Sequence, residues 1–222
     1  NQGNGDPGIK GGSDNKNLMK ISKIGEFGLI DEIRKILKSK ISNSDCAPLK
    51  IGNDTYLATC DILLENRHFL RKYNPKDVGY KAIAVNVSDI VASGGSPLYA
   101  MISLQSPDIE VEYIREIYHG INEACQKYKC RVLGGNTVKS EFIGIDIFML
   151  GKTKKFIPRN TAGEGDCIFV SGPLGDSRAG MELLRKGRAV EPFESILINR
   201  HLRPGIDLNI SRHISKYATS SM

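Results

Sequence analysis

A single long, largely apolar helix constrains the fold more than any other segment of this chain. It begins at Asn74-Pro75, a cap followed by proline at the first helical position, and ends before Gly94-Gly95. Apolar residues cover most of its circumference, so Asn86, Ser88 and Asp89 cannot all face solvent. A carboxylate in such surroundings needs a cation or hydrogen-bond donors. The helix therefore makes Asp89 a candidate functional residue.

Hydrophobic periodicity predicts further helices and strands that do not alternate in a simple pattern. In one strand Ile143, Ile145, Ile147 and Met149 share a face, and we expect both faces of that strand to be covered. This mixture of elements predicts an α+β or α/β fold. The predicted helices span 28–38, 110–128, 176–186 and 193–201, the predicted strands 55–60, 97–104, 130–133, 143–150 and 166–171, and a turn lies at 42–48.

The charge balance is mildly basic and compatible with an anionic substrate. Lys and Arg number 31 against 25 Asp and Glu, a net charge of +6, which suits a phosphate ester. Aromatic residues make up 7% and Trp is absent, so we expect no nucleic-acid partner. No apolar run approaches the roughly 18 residues of a membrane-spanning helix, so we expect no membrane partner.

The cysteines and the N-terminal segment indicate the cellular compartment in which the protein functions. The five cysteines include no C-x-x-C pair, so we expect buried free thiols in a reducing cytosol rather than zinc or disulfides. The N-terminal segment lacks the charged-then-apolar pattern of a secretion signal. The sequence therefore predicts a cytoplasmic protein.

Composition divides the chain into three segments. Residues 1–17 are rich in Gly, Asn, Asp and Lys, which predicts a disordered tail. Residues 18–151 are predicted to form an N-terminal domain. The polar, basic stretch at 152–165 marks a boundary, and 152–222 is the start of a second α/β domain whose elements look unfinished.

The candidate chemistry lies in oxygen-bearing side chains at the ends of elements. The sequence has no Walker A loop, no G-x-S-x-G elbow and no H-E-x-x-H helix. Asp45 lies in a turn, Asp61 ends a strand, and Asn136 follows the Gly134-Gly135 break after another strand. With Asp89, such groups suit Mg²⁺ shared with substrate phosphates. Each residue also has an ordinary alternative role. Asp45 would be a turn residue and Asp61 a helix cap. Asp89 would be a solvated side chain, and Asn136 would hold a left-handed turn.

Several short motifs, in this order and spacing, resemble the thiamine-monophosphate kinase family of the aminoimidazole-ribonucleotide-synthetase-like superfamily. The resemblance runs from about Ile24 to Met222. The opening Gly25-Glu26-Phe27-Gly28-Leu29-Ile30 and the late Arg200-His201-Leu202-Arg203-Pro204 point to this branch of the superfamily. The intervening motifs are Asp45-Cys46-Ala47, Thr59-Cys60-Asp61, Asn66-Arg67-His68-Phe69, Gly79-Tyr80-Lys81-Ala82, Val85-Asn86-Val87-Ser88-Asp89, Gly134-Gly135-Asn136-Thr137 and Ser171-Gly172-Pro173-Leu174-Gly175-Asp176.

The resemblance implies transfer of phosphate from ATP to thiamine monophosphate, assisted by Mg²⁺. It also implies a homodimer whose N-terminal domains pair their sheets into a barrel. By the same resemblance, Arg159 contacts the nucleotide phosphates and His68 faces the thiamine phosphate. The ordinary alternatives are a solvated linker charge for Arg159 and a core or surface histidine for His68. The implied metal site comprises Asp45, Thr59, Cys60, Asp61, Asp89 and Asn136, and the implied ATP site Asp45, Gly135, Asn136 and Arg159.

Three departures from the family pattern leave alternatives open. Ser44 stands where the family turn has a first aspartate, and Asn136 stands where a Gly-Gly-Asp motif has its carboxylate, which predicts weaker Mg²⁺ binding. The family also continues past Met222 into an Asp-rich metal segment. The alternatives are a related ATP-using enzyme, such as aminoimidazole ribonucleotide synthetase or the hydrogenase-maturation dehydratase, and a catalytically impaired nucleotide-binding or dimerisation fragment.

Overall fold

The computed structural model describes residues 20–38, 41–187 and 191–222. The predicted tail at 1–17 lies outside these residues. The chain divides into two compact units, Asn1–Ile41 and Ser42–Met222. The described part of the first unit contains one helix, α1 (Ile21–Leu37), which kinks at Gly25, where φ is +65°. This helix begins earlier than the predicted 28–38, because the glycines near its start weaken the helical pattern there.

The second unit is built on a five-stranded mixed sheet in the order β1-β2-β5-β3-β4. The β3–β4 pair is parallel, and the other three pairs are antiparallel. A sheet of this kind, with helices packed on it, confirms the predicted α+β class. The strands are β1 (Ala47–Ile51), β2 (Asp54–Leu64), β3 (Ser96–Ser106), β4 (Arg131–Lys139) and β5 (Gly144–Thr153).

Two long helices, α2 (Pro75–Ala92) and α3 (Val111–Tyr128), pack closely against each other. Two glycines permit this approach. A Cβ on Gly79 would lie 1.9 Å from the Ile117 carbonyl oxygen, and one on Gly120 would lie 1.8 Å from that of Lys76. The predicted start of α2 is confirmed, since the Asn74 side chain accepts a hydrogen bond from Lys76 N–H and Pro75 is the first helical residue.

In the three central strands, β2, β5 and β3, one face of the sheet packs into the hydrophobic core and the other is partly open, whereas the edge strands β1 and β4 are exposed. Ile145, Ile147 and Met149 of β5 are fully buried, as their alternation predicts. The expectation that both faces of β5 are covered is wrong in this chain, because Phe148 on the other face is 41% exposed. Met101, which pairs with Phe148, is 49% exposed. We call this second side the open face.

Several predicted strand limits are corrected by the structure. β2 continues to Leu64, so Asp61 lies inside the strand, paired with Ile147, and does not end it. Part of the predicted 42–48 turn belongs to β1. β4 runs through Gly134-Gly135 where a break is predicted. There the absence of a side chain keeps the strand intact, since a Cβ on Gly135 would lie 1.8 Å from the Ile102 carbonyl oxygen.

The C-terminal part of the chain contains helices α4 (Asp176–Lys186), α5 (Pro192–Leu202) and α6 (Ile210–Tyr217). The first two confirm the predicted helices, and α6 was not predicted. The strand predicted at 166–171 is wrong. A strand needs a hydrogen-bonding partner, and none of the described strands pairs with this segment, in which Ile168 and Phe169 are about nine-tenths exposed. Within the described ranges, no helix has the length and apolar character needed to cross a membrane.

Candidate active site

Asp61 and Asp89 are brought together by the packing of α2 on the buried face of the sheet. Paired residues of neighbouring strands share a face, so Thr59, opposite Met149, and Asp61, opposite Ile147, lie on the side where α2 packs. Thr59 is buried there, and Asp61 remains exposed. The Thr59 hydroxyl donates a 2.7 Å hydrogen bond to Asp89 Oδ2 on α2. As predicted for this helix, the polar residues do not share a solvent face: Asn86 is buried, Asp89 is half-buried and Ser88 is exposed.

Asp45 joins this group from the loop before β1. Ser42 Oγ holds the loop by donating to the Cys46 carbonyl at 2.9 Å and accepting from Ser44 N–H at 3.1 Å. The Asp45 carboxylate forms an ion pair with the Arg159 guanidinium, and the Arg159 backbone N–H donates to Ser44 Oγ at 3.0 Å. The loop therefore fixes Arg159, which follows the last strand, beside an acidic residue.

The three carboxylates lie within one another's electrostatic field. Burial raises the pKa of Asp89 to about 6, the Thr59 hydrogen bond opposes that rise, and the charges of Asp61 and Asp45 add to it. The pKa of Asp61 is also raised, first by burial and then by Asp45. Elevated pKa values in neighbouring carboxylates mark negative charge that the protein leaves uncompensated. A cation bound among them would relieve it.

His68 lies close to this acidic group. The Leu64 backbone N–H donates to His68 Nδ1 at 2.9 Å, so in the neutral ring the proton is carried by Nε2. Burial is the first cause of a lowered pKa for His68, followed by the positive charges of Arg67 and Lys81. The nearby imidazole in turn lowers the pKa of Asp61. His68 also lines a small cavity with Arg67 and Arg185.

Cys60 and Asn136, also predicted as metal ligands, lie elsewhere. Ser103 pairs with both Asn136 and Asp146, which places these residues side by side on the open face. There the Cys60 thiol donates to Asp146 Oδ1 at 3.1 Å, and burial raises the Cys60 pKa to about 11. With Gly135, these residues line a cavity of about 290 Å³. No hydrogen bond described in the structure joins Asn136 to Asp45, Asp61 or Asp89.

Asp146 is a candidate site residue that motif reasoning missed. The pattern of the strand shows an acidic residue among apolar ones, which is a detectable signal, but the residue belongs to none of the motifs of the resemblance. Its charge raises the pKa of both Cys60 and Asp61, and so Asp146 connects the two groups electrostatically.

The donor chemistry fits a hard divalent cation. Carboxylate, hydroxyl and amide oxygens are the ligands that Mg²⁺ prefers. The side chains are not preassembled into a coordination shell, since no group of three or more His, Cys, Asp or Glu among the described residues is arranged to hold a metal. Asp45 is paired with Arg159 instead, and Asp89 with Thr59. The uncompensated charge of Asp61 and Asp89 is the observation that favours a bound cation.

Comparison with known proteins assigns the fold. Residues 43–153 match the family model described as AIR synthase related protein, N-terminal domain. This stretch contains the whole sheet and the carboxylates Asp45, Asp61 and Asp89, and it defines the chain as an AIR synthase related protein. Structures of the hydrogenase maturation protein HypE share the fold, with a TM-score of 0.60 at 20% identity for the HypE–HypF complex.

Relatives with higher sequence identity show to which family of AIR synthase related proteins the chain belongs. The chain is 52% identical over 206 residues to the thiamine-monophosphate kinase of Aquifex aeolicus, covering 92% of this chain and 67% of that protein. The Escherichia coli K12 thiamine-monophosphate kinase is 33% identical over 193 residues, covering 81% of this chain and 58% of that protein. The chain belongs to the thiamine-monophosphate kinase family. It spans 58–67% of the length of these curated relatives.

A solved structure supports the same assignment. The structure described as AaThiL complexed with AMPPCP and TMP superposes with a TM-score of 0.89 at 51% identity, covering 91% of this chain and 66% of that one. A second structure, of thiamine monophosphate kinase from Aquifex aeolicus, gives a TM-score of 0.84 over 91% of this chain and 68% of that one.

Proposed function

We propose that this chain carries the nucleotide and metal site of an enzyme that transfers phosphate from ATP to thiamine monophosphate, forming thiamine diphosphate. One observation supports the proposal above all: three carboxylates, Asp45, Asp61 and Asp89, lie within one another's electrostatic field in a chain 52% identical to a thiamine-monophosphate kinase. A related structure is described as a complex with AMPPCP, an ATP analogue, and TMP, which supports both substrates.

The carboxylates would hold Mg²⁺, with the Thr59 hydroxyl as a further oxygen donor. Bound there, Mg²⁺ supplies neutralisation of the polyphosphate charge, which phosphoryl transfer needs more than covalent help. The Thr59 hydrogen bond orients Asp89 toward that role. Cys60 and Asn136, on the open face with Asp146, would form a separate group of polar ligands in the cavity there.

Arg159, Gly135 and Asn136 are proposed to contact the nucleotide. An arginine fork matches phosphate oxygens, and Arg159 is already oriented by Asp45 and Ser44. Gly135 lines the open-face cavity next to Asn136, where its backbone would meet a ligand. His68, beside Asp61, is proposed to face the thiamine phosphate, with its protonated Nε2 as donor.

We further propose a cytoplasmic homodimer. Outside the cavity that Asn136 lines, the open face exposes Tyr99 by 38% and Val138 by 49%, and a second copy of the sheet would cover this part of the surface. All five cysteines are free, which favours a reducing compartment, but Cys60 and Cys167 are exposed and not buried as expected. We retain the division into an N-terminal domain at 18–151 and the start of a second domain at 152–222 as part of this proposal.

The test is direct detection of product. The purified chain is incubated with ATP, MgCl₂ and thiamine monophosphate, and thiamine diphosphate is quantified by chromatography of its fluorescent thiochrome derivative. We expect product that depends on both Mg²⁺ and thiamine monophosphate, and loss of product in Asp61→Asn. A wild-type chain that forms no thiamine diphosphate would refute the proposal.

A second candidate is a nucleotide-binding or dimerisation module without turnover. Ser44 and Asn136, each in place of a family carboxylate, favour it. Binding of Mg²⁺-ATP without formation of thiamine diphosphate would identify this alternative.

A further inference from the structure

Lys81 is a partly buried cation without an acidic partner in the part of the chain that the structure describes. It lies on α2 in the Gly79-Tyr80-Lys81-Ala82 segment, and burial alone lowers its pKa to about 8. None of the ion pairs formed by the described residues includes Lys81. A positive charge removed from water without a carboxylate nearby is unfavourable, and an anionic ligand would compensate it.

Two residues from the C-terminal helices orient this ammonium group. Lys81 Nζ lies 3.4 Å from His201 Nε2 on α5, and His201 Nδ1 lies 3.1 Å from Ser177 Oγ on α4. An ammonium group has three donors and no acceptor, so Nε2 must accept and Nδ1 carries the ring proton toward Ser177. His201 is 6% exposed and therefore holds a fixed position. Two of the three Lys81 N–H groups have no acceptor among the described residues.

The surroundings of Lys81 are positively charged. The charge of Lys81 reaches both His68 and His201, lowering the pKa of each. Arg185 also lowers the pKa of His201, and it lines the His68 cavity together with Arg67. The rings of His201 and Tyr73, another residue of that cavity wall, are perpendicular, with centroids 6.4 Å apart. Basic groups therefore converge on the proposed substrate residue, His68.

We propose that Lys81, positioned by His201 and Ser177, binds the phosphate group of thiamine monophosphate beside His68. This inference rests on the proposed function and assigns the acceptor phosphate to a named cation. Lys81 touches the substrate, whereas His201 acts through Lys81 as a positioning residue. The same chemistry would also suit a phosphate of ATP, so the experiment separates the two sources.

The test compares three ligands by isothermal titration calorimetry on the whole chain: thiamine monophosphate, thiamine and Mg²⁺-AMPPCP. Lys81→Gln should weaken thiamine monophosphate binding by about tenfold, the loss expected for a hydrogen bond to a charged group. Binding of thiamine and of Mg²⁺-AMPPCP should stay within about twofold. Lys81→Arg keeps the positive charge, and His201→Gln keeps a hydrogen-bond acceptor for Lys81. Both variants should therefore weaken thiamine monophosphate binding less than Lys81→Gln does. Lys50→Gln, on the exposed strand β1, is the matched control and should behave as wild type.

Unchanged thiamine monophosphate binding in Lys81→Gln would overturn the inference, as would an equal loss for thiamine or a loss confined to Mg²⁺-AMPPCP. A wild-type chain that binds no thiamine monophosphate would also overturn it. If Lys81→Gln does not fold, the test is acetylation of Lys81 in the wild-type protein by acetic anhydride. Thiamine monophosphate, but not thiamine, should protect Lys81 from acetylation. Lack of selective protection would contradict the inference.

Failure of the proposed function is a different result. If wild type binds thiamine monophosphate but forms no thiamine diphosphate, the proposed function is refuted and this inference still holds.

Discussion

The hydroxyl of Thr59 on β2 donates a 2.7 Å hydrogen bond to the carboxylate of Asp89 on α2. This contact joins the sheet to the helix at the centre of the candidate site. It also opposes the rise of the Asp89 pKa caused by burial, and so it favours the ionised form that a cation requires.

Replacing Thr59 by Val should raise the Asp89 pKa further and weaken Mg²⁺-dependent ATP binding. Loss of one hydrogen bond to a charged group corresponds to about tenfold in affinity. Thr59→Ser keeps the hydroxyl and is the control. The measurement is the dissociation constant of ATP at saturating Mg²⁺. Equal affinities for Thr59→Val and Thr59→Ser would show that the hydroxyl has no role.

Arg159 provides a second test, because its guanidinium is held by Asp45. Arg159→Met should weaken ATP binding by about tenfold or more, and Arg159→Lys should recover only part of the loss, since an ammonium group lacks the planar fork. Arg115, an exposed arginine on α3 with a surface ion pair to Glu112, supplies the control Arg115→Met. If Arg159→Met binds ATP as tightly as Arg115→Met does, Arg159 is not a nucleotide ligand.

The close packing of α2 and α3 predicts that Gly120→Ala is destabilising. Helix propensity alone would favour Ala by about 1 kcal/mol. The new Cβ would however lie 1.8 Å from the Lys76 carbonyl oxygen, and overpacking of this kind typically costs about 1–3 kcal/mol. Gly163→Ala, where no atom lies within 4 Å, is the matched control. Urea unfolding should show a lower midpoint for Gly120→Ala alone; a midpoint at or above wild type would contradict the packing.

His201 should make the protein sensitive to acid. Burial, with the charge of Lys81, lowers its pKa to about 4 from the ordinary 6.5. The unfolded chain therefore takes up this proton at higher pH than the folded one, and stability falls as the pH decreases from 6.5 toward 4. His201→Gln, which does not titrate, should lose less stability between pH 7 and pH 4.5, as measured by urea midpoints. Parallel losses in the two proteins would exclude His201 as the cause.

Helix α2 shows how far local sequence signals reach. Its cap, its proline and the glycines after it fix both ends, and its apolar circumference requires burial, so Asp89 could be recognised from the sequence. The alternation of Ile145, Ile147 and Met149 likewise identifies the buried face of β5. These signals are local, and the structure agrees with them.

Features that depend on distant partners were missed. The path of β4 through Gly134-Gly135 depends on the Ile102 backbone of a neighbouring strand, which no local pattern records. Residues 166–171 have strand-like composition but no partner strand among those described. The proximity of Asp146 to Cys60, and of Lys81 to His201, depends on residues 86 and 120 positions apart. Motif spacing contains no information on such contacts.

The most direct test of the account is the Mg²⁺ dependence of ATP binding. ATP is titrated into the wild-type chain and into Asp61→Asn by isothermal titration calorimetry, each with MgCl₂ and with EDTA. Asp61 lies among the carboxylates without the arginine partner that Asp45 has, so its removal takes away charge that a cation would bind. We predict that Mg²⁺ strengthens ATP binding to wild type and that Asp61→Asn abolishes this gain. Equal ATP affinity with MgCl₂ and with EDTA in the wild-type chain would contradict the central claim.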